Sequence, residues 1–406
     1  MPARGNQWRK KNKGAADMST TGKTRWGAIL AVWAAGLGAA AQYGKVSVVF
    51  DQLGALYPEA GAGLSLSVSM TGVLGILMGA VAGLFVSAFG YRRTLVWALW
   101  TGAAMSALQV LHLPYGLFLA TRMVEGLSHL GIVVAGPTLM ALLADDRQRG
   151  AALTVWSTFF GVAFALLNWL GLPLVASYGL LALFAAHAVL MAALAVLLHW
   201  AMRDLPVPPR QVMPQLADLP ALHLKIYRSP FKLAPAAGWL FYTTCFVALL
   251  TVLPPHLPTE QRAFVMGAFP LISIASSMVI GVALLRVMPA VQLIQLGFGL
   301  CAAGGLWLWA IPGNWLACFA LAAAFGLVQS GSFACVPQLN TSAADQAESN
   351  GAMSQAGNAG NVIGTPLLLA SLGVAGYGGM MLVVCALFLA GILVHQLLAA
   401  RRRAWA

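Results

Sequence analysis

The sequence predicts an all-α polytopic membrane protein, with twelve transmembrane helices arranged as two six-helix bundles in parallel repeat. The first observation is composition, since 60% of the 406 residues are hydrophobic and 8% are charged, whereas about a quarter of a typical soluble domain is charged. The second is a series of apolar runs of about 20 residues, the length that crosses a bilayer. Because lipid offers the backbone no hydrogen bonds, each run must be helical.

Twelve apolar runs give the predicted spans. The third and fourth spans meet at the sequence Leu113-Pro114-Tyr115, so only Pro114 lies between them. The predicted spans are residues 26–50, 64–89, 94–113, 115–144, 150–173, 179–202, 233–254, 263–285, 289–310, 315–337, 351–374 and 379–397.

An internal repeat is the third observation, because the second half of the chain matches the first at an offset of 200 residues. Glycine, proline and aspartate matches in one register arise by chance less readily than matches of leucine or alanine. The fourth span therefore repeats as the tenth in the same orientation, which indicates a parallel repeat of six spans. The matches include Gly126 with Gly326, Gly131 with Gly331, Pro137 with Pro337 and Asp145 with Asp345.

The repeat divides the chain into two bundles joined by a polar connection. Residues 203–232 hold six prolines, which exclude a regular transmembrane helix, so we expect a cytoplasmic linker there. The predicted organisation is a basic tail at 1–25, a first bundle at 26–202, the linker at 203–232, a second bundle at 233–397 and a basic tail at 398–406.

Basic residues predict the orientation. On one side of the predicted membrane lie 20 of the 23 lysines and arginines, and only Arg262 lies on the other side. By the positive-inside rule, we expect a multi-pass protein of the inner (plasma) membrane with both termini cytoplasmic. The net charge of +12 follows from this bias, and the scattered basic residues form no nucleic-acid-binding patch. We expect no signal peptide, with translation starting at Met1 or Met18.

Two motifs link the chain to a known family. One lies between the second and third spans, and the other lies within the fourth. The motifs read Gly83-Leu-Phe-Val-Ser87-Ala-Phe-Gly90-Tyr-Arg92-Arg93 and Arg122-Met-Val-Glu125-Gly126.

With these motifs, twelve spans and a six-plus-six repeat, the chain resembles the major facilitator superfamily over essentially its full length. The resemblance implies a transporter in which Arg122 acts in substrate binding or proton coupling. Ser87 stands where the family's first motif usually has an acidic residue, so the charge-relay form of gating is in question. The resemblance implies a gating loop that contains Gly83, Gly90, Arg92 and Arg93.

Lys45, Arg122 and Glu125 are the candidate anion site. In the family that the chain resembles, spans one, four, seven and ten line a central cavity, so these three side chains can face one another. Two cations against one carboxylate leave about one positive charge, which suits a monoanionic substrate. The alternative is that Arg122 and Glu125 pair along their helix while Lys45 extends to the membrane interface.

In the second half, we expect neutral side chains to complete the substrate site. The candidates are Tyr242, Gln329 and Asn358, and packing between helices is an equally good explanation for Asn358. Glu125 and His129 are the candidate proton carriers, because a buried carboxyl group can exchange a proton and histidine titrates near physiological pH. The alternative for His129 is a hydrogen-bonded packing residue, and we expect His187 to be structural.

The resulting hypothesis is a secondary active transporter that moves a small organic anion by alternating access, coupled to protons. The alternative is a proton-driven efflux pump for drugs, siderophores or metabolites, although the fifth span lacks the Gly-Pro pattern typical of drug/proton antiporters. We expect no enzyme activity, because no span carries a nucleophile or metal-ligand arrangement. We expect a monomer in the lipid bilayer that carries no cofactor and no metal.

Overall fold

A computed structural model describes residues 24–205 and 215–405. Across these two ranges the chain is helical and has no β-strand, as backbone in lipid requires. The predicted basic tail before residue 24, with Met18, lies outside the described residues. So does the middle of the predicted linker, with Pro206, Pro208, Pro209 and Pro214.

The first half of the protein, residues 24–205, consists of long helices separated by series of short helices. The predicted second span is such a series of short helices, in which Pro58–Ser65 and Met70–Gly72 are 3₁₀-helical. A π-helical turn, Leu167–Gly171, interrupts the predicted fifth span. The α-helices are α1 Trp26–Ser47, α2 Phe50–Leu56, α3 Leu66–Ser69, α4 Val73–Met78, α5 Ala82–Phe89, α6 Tyr91–Gln109, α7 Tyr115–Leu143, α8 Arg149–Ser157, α9 Phe159–Leu166, α10 Leu172–Tyr178 and α11 Leu180–Ala201.

The second half, residues 215–405, begins with a short amphipathic helix in the predicted linker. The next helix starts at Pro230 rather than at the predicted residue 233, because proline fits the first turn of a helix. The α-helices are α12 Leu219–Arg228, α13 Pro230–Val252, α14 Thr259–Ser276, α15 Val282–Leu284, α16 Ala290–Ala310, α17 Trp315–Leu339 and α18 Ala343–Trp405. Short 3₁₀ turns, Leu216–Asp218 and Pro254–His256, and a π-helical turn, Ser277–Gly281, complete it.

Ten helical stretches of the described chain are long and apolar enough to cross a membrane. The predicted count of twelve is not confirmed by this measure. Helix α6, which matches the predicted third span, is not among the ten, and the predicted spans 351–374 and 379–397 lie within α18. The fold is therefore an all-helical membrane fold with about ten recognisable spans.

Helix α18 folds back on itself at Gly376. This glycine has a φ of +64°, a left-handed conformation that breaks the helix and that glycine adopts without steric cost. At the start of α18, Asp345 Oδ1 forms an ion pair with the Lys232 Nζ at a distance of 2.7 Å. Near its end, Arg402 Nη1 donates to the Pro230 carbonyl at 3.2 Å. Because both ends reach the beginning of α13, the two arms of α18 run in opposite directions.

Two clusters of buried apolar side chains hold the helices together. One consists only of residues from the range 28–205. The larger is built mainly from residues 234–398, and it also takes in Tyr43, Phe118 and Phe164 from the first half. The larger cluster therefore packs α1, α7 and α9 against the second half of the chain.

The two halves also approach closely along α18. A Cβ atom added at Gly351 would lie 2.7 Å from the Ala80 carbonyl oxygen. Farther along, the Gln355 side chain donates to the Ile76 carbonyl, and the Tyr43 hydroxyl donates to Asn358 Oδ1 at 3.4 Å. The halves therefore meet through bare backbone and neutral hydrogen bonds.

This contact predicts that Gly351→Val destabilises the protein. The added side chain meets the backbone of Ala80, which cannot move cheaply, and such overpacking costs about 1–3 kcal/mol. The measurement is thermal unfolding of the purified protein in detergent. Gly299→Val is the matched control, because no atom lies within 4 Å of the Cβ position there. Equal melting temperatures for the two variants would show that the approach at Gly351 is not a packing constraint.

Candidate functional site

The candidate site is built by helix α7, which carries ionisable residues on one face. Arg122, Glu125 and His129 are spaced at i, i+3 and i+7, so they lie along one side of the helix. Lys45 comes from the last turn of α1. The side chains of Lys45, Arg122 and Glu125 are all 0% exposed, so the three charges lie wholly inside the protein.

Glu125 lies between the two cations. The Lys45 Nζ donates to Glu125 Oε1 at 2.6 Å, while Arg122 Nη1 pairs with Glu125 Oε2. The other arginine nitrogens bind backbone, with Nε donating to the Ser67 carbonyl at 2.8 Å and Nη2 to the Gln42 carbonyl at 2.5 Å. One carboxylate therefore joins α1 to α7, and Arg122 ties both to α3.

The structure brings together the three residues that the sequence singled out as an anion site. Arg122 and Glu125 pair along their helix, as the alternative interpretation had it. Lys45, however, does not extend to the membrane interface, because α6 and α7 hold its ammonium group in the interior. The ring of Phe184 lies 5.3 Å from Lys45 Nζ, close enough for a cation–π attraction.

Helices α6 and α11 supply polar members of this cluster that the sequence did not indicate. The Lys45 Nζ donates to Ser106 at 2.6 Å and to Gln109 at 2.8 Å. His187, expected to be structural, lies 2.7 Å from Ser106 Oγ through Nδ1, and its Nε2 lies 2.9 Å from the Gly38 carbonyl. Ser106 and Gln109 are spaced i and i+3, so they lie on one face of α6. That spacing was the sequence pattern that could have indicated a polar face on this helix. Spacing along one helix could not reveal partners on another.

The cluster carries more positive than negative charge. With His187 neutral, Lys45 and Arg122 supply two positive charges, and Glu125 supplies one negative charge. Burying charge is costly unless it is paired and hydrogen-bonded, and here each charged group has several polar partners. The arrangement therefore holds a buried excess of one positive charge.

His129 lies apart from the ionic cluster. Its Nδ1 lies 3.0 Å from the Ala39 carbonyl, so this nitrogen carries the proton in the neutral ring. Its ring meets that of Tyr43 edge to face, with 5.0 Å between centroids. Because Tyr43 also donates to Asn358, it connects the face of α7 to the second half. The sequence did not single out Tyr43.

Within the described residues, no hydrogen bond or ion pair joins the second-half candidates Asn358, Tyr242 and Gln329 to the ionic cluster. Asn358 contacts the first half through Tyr43, and its own Nδ2 donates to the Ser354 carbonyl at 2.9 Å. Tyr242 stacks on the Trp239 ring with 4.6 Å between centroids, and it also stacks on the Phe246 ring. Gln329 lies half-buried on α17. Asn358 thus has a hydrogen-bonded contact with the first half.

The predicted gating loop joins α5 to α6. Gly90 has a φ of +102°, which glycine adopts readily. The Arg92 guanidinium donates to the Arg203 carbonyl at 2.9 Å and to the His199 carbonyl at 3.1 Å, where it complements the negative end of the α11 dipole. Gly83 and Arg93 are exposed. The loop thereby fixes the end of α11 to the start of α6.

Comparison with known proteins gives one family. A model of the Major Facilitator Superfamily matches residues 28–368, a range that includes Lys45, both motifs and most of the helices. No curated protein matches the chain. Within the ranges 24–205 and 215–405, no three His, Cys, Asp or Glu side chains are grouped so that they could hold a metal ion.

The charge balance predicts an order of stability for two variants. Glu125→Gln leaves two buried cations without a carboxylate, a loss that costs about 3–5 kcal/mol. Lys45→Met leaves the neutral Arg122–Glu125 pair but removes the donor that Gln109 and Glu125 accept from, so we expect a smaller loss of about 1–3 kcal/mol. Thermal unfolding in detergent measures both. If Lys45→Met proved the less stable of the two, the excess positive charge would not govern the energetics of the cluster.

Proposed function

The chain belongs to the Major Facilitator Superfamily, and on this premise we propose that it is a proton-coupled secondary transporter of a small organic anion. Membership makes the chain a multi-pass membrane transporter of small solutes. The observation that supports an anionic substrate is the buried excess of positive charge at Lys45 and Arg122.

A monoanion is the substrate that this cluster suits best. Lys45, Arg122 and Glu125 are fully buried, so the extra positive charge has no water to solvate it. A single carboxylate between the two cations brings the buried charge to zero while Glu125 is ionised, and leaves it at one positive charge once Glu125 has taken a proton. A cation would add to the excess in either case. Asn358, which Tyr43 links to this region, offers a neutral amide from the second half, and we keep Tyr242 and Gln329 as proposed neutral contacts.

Proton coupling follows from competition between two carboxylates. A substrate anion takes donors from Lys45 and Arg122 that otherwise bind Glu125. Two carboxylates sharing one site repel each other unless one of them takes a proton. Glu125 is therefore the proposed proton acceptor, and its proton travels with the anion. His129 lies one turn further along α7, where it offers a route for that proton.

We also propose the architecture that alternating access requires. The folded-back α18 and the helical α6 support twelve spans, in two bundles at 26–202 and 233–397 joined by the linker at 203–232. The bias of basic residues supports tails at 1–25 and 398–406 in the cytoplasm, and the inner (plasma) membrane as the location of a monomer. The neutral hydrogen bonds between the halves are each worth about 0.5–1.5 kcal/mol, so the halves can separate and meet again.

Reconstitution in proteoliposomes tests the anion. A panel of the monoanions propionate, lactate and benzoate, the dianion succinate and the zwitterion alanine is offered with and without an inward proton gradient. We expect at least one monocarboxylate to accumulate when the gradient is imposed. We expect Arg122→Gln to lower kcat/KM at least about tenfold, because a hydrogen bond from a charged group is lost. Absence of flux for every anion, together with transport of lipophilic cations or neutral drugs, would replace this function with drug efflux.

Proton uptake on binding tests the coupling. When the transported anion is added to purified protein in weak buffer with an indicator dye, we expect uptake of about one proton per anion bound. His129→Gln should leave this stoichiometry unchanged if Glu125 is the acceptor. Loss of uptake in His129→Gln would transfer the acceptor role to His129. Binding without uptake in the unaltered protein would exclude coupling through this cluster.

A further inference from the structure

A polar cavity lies between the two halves, at the end of α1 that follows Lys45. Its volume is about 140 Å³. The first half contributes the junction of α1 with α2 and the π-helical turn, and the second half contributes the end of α13 and the start of α14. We call it the junction cavity; its polar lining is Ser47, Asp51, Gln52, Asn168, Thr251 and Arg262.

The inner wall of the junction cavity is polar although it is buried. Ser47, Asn168 and Thr251 are each at most 5% exposed. The hydroxyls of Ser47 and Thr251 are hydrogen-bonded across the two halves at 2.7 Å. Asn168 belongs to the π-helical turn, a local widening of the helix that is frequent at functional sites. A surface that served only helix packing inside a membrane protein would be more stable if it were apolar, because burying polar groups costs free energy.

Arg262 is the cation of this cavity, and its hydrogen-bonding capacity is not filled. Its Nε is buried and has no hydrogen-bond partner. Among residues 24–205 and 215–405, no carboxylate lies within ion-pairing distance of its guanidinium. Burial, together with nearby Arg262, lowers the pKa of His256, so that neighbour is neutral at pH 7. An unmet buried donor on a charged group is costly unless a ligand uses it.

Asp51 is the opposite charge in the same lining, and it is exposed at the rim. An anion without a hydrogen-bond donor is attracted by the Arg262 guanidinium but repelled by the Asp51 carboxylate. A carboxylate that also carries a hydroxyl or an ammonium group satisfies both, because the guanidinium binds its carboxylate and Asp51 accepts from its donor. The cavity volume equals that of about four or five waters, which suits an acid of about three carbons.

We infer that the junction cavity is a second binding site, which takes a small carboxylate bearing a hydrogen-bond donor before its carboxylate group reaches Lys45 and Arg122. This inference rests on the proposed function. Ser47 follows Lys45 by two residues, about 3 Å along the α1 axis. The Ser47–Thr251 hydrogen bond closes the gap between α1 and α13 at this level. When it breaks, the cavity opens toward the space between the halves.

Kinetics in proteoliposomes of known orientation test the site. The probe is whichever of propionate, lactate and alanine has the highest kcat/KM in the unaltered protein. With the probe added on the cavity side, we expect Arg262→Gln to raise KM about tenfold and to leave kcat within about twofold. The matched control is Arg286→Gln, an exposed arginine of the other face, which should change neither constant. An unchanged KM in Arg262→Gln would overturn the inference.

A second variant keeps the test valid if Arg262→Gln does not fold. Propionate, lactate and alanine differ only in the 2-substituent, which is hydrogen, hydroxyl or ammonium. Asp51 is exposed, so Asp51→Ala should fold, and we expect it to abolish the preference for lactate or alanine over propionate. A preference that persists in Asp51→Ala would contradict the assigned ligand class. If the unaltered protein transports no carboxylate at all, the proposed function itself fails, which is a separate result.

Discussion

Glu125 is the group on which the rest of the structure depends. Its two oxygens bind cations from different helices, Lys45 from α1 and Arg122 from its own helix α7. Arg122 in turn binds backbone carbonyls of Ser67 and Gln42. Because a buried cation without a counter-charge costs several kcal/mol, the presence of this one carboxylate makes it possible to pack α1, α3, α6 and α7 together around charged side chains.

The ionic cluster of Lys45, Arg122 and Glu125 belongs entirely to the first half of the chain, and this has a consequence for motion. In the described ranges, the hydrogen bonds that cross between the halves join neutral groups, as at Ser47–Thr251 and Tyr43–Asn358. Breaking such hydrogen bonds costs about 0.5–1.5 kcal/mol each, whereas separating a buried ion pair costs several times more. The first half can therefore keep its ionic cluster intact while it moves against the second.

The sequence predicted those features of the molecule that depend on a single helix. Lipid forces long apolar runs into helices, and spacing along α7 brings Arg122 close to Glu125. Contacts between helices were harder to predict: His187 reaches the cluster through Ser106 on α6, and nothing in the sequence pairs those two helices. The fold-back of α18 at the left-handed Gly376 lies in the gap between the predicted spans 351–374 and 379–397. The hydropathy pattern therefore located it, although it could not show that Gly376 rather than Gly378 takes the left-handed conformation.

On the proposed function, the two anion sites differ in strength for a physical reason. Arg262 is half-buried and shares its cavity with Asp51, so water and an opposing charge weaken its hold on an anion. Lys45 and Arg122 attract an anion in a medium without water, where Coulomb energies are larger. Such a site would bind too tightly to release its substrate. Glu125 counteracts this, because its carboxylate competes for the same donors and regains them when it loses its proton. The charge that stabilises the fold thus also allows the anion to leave.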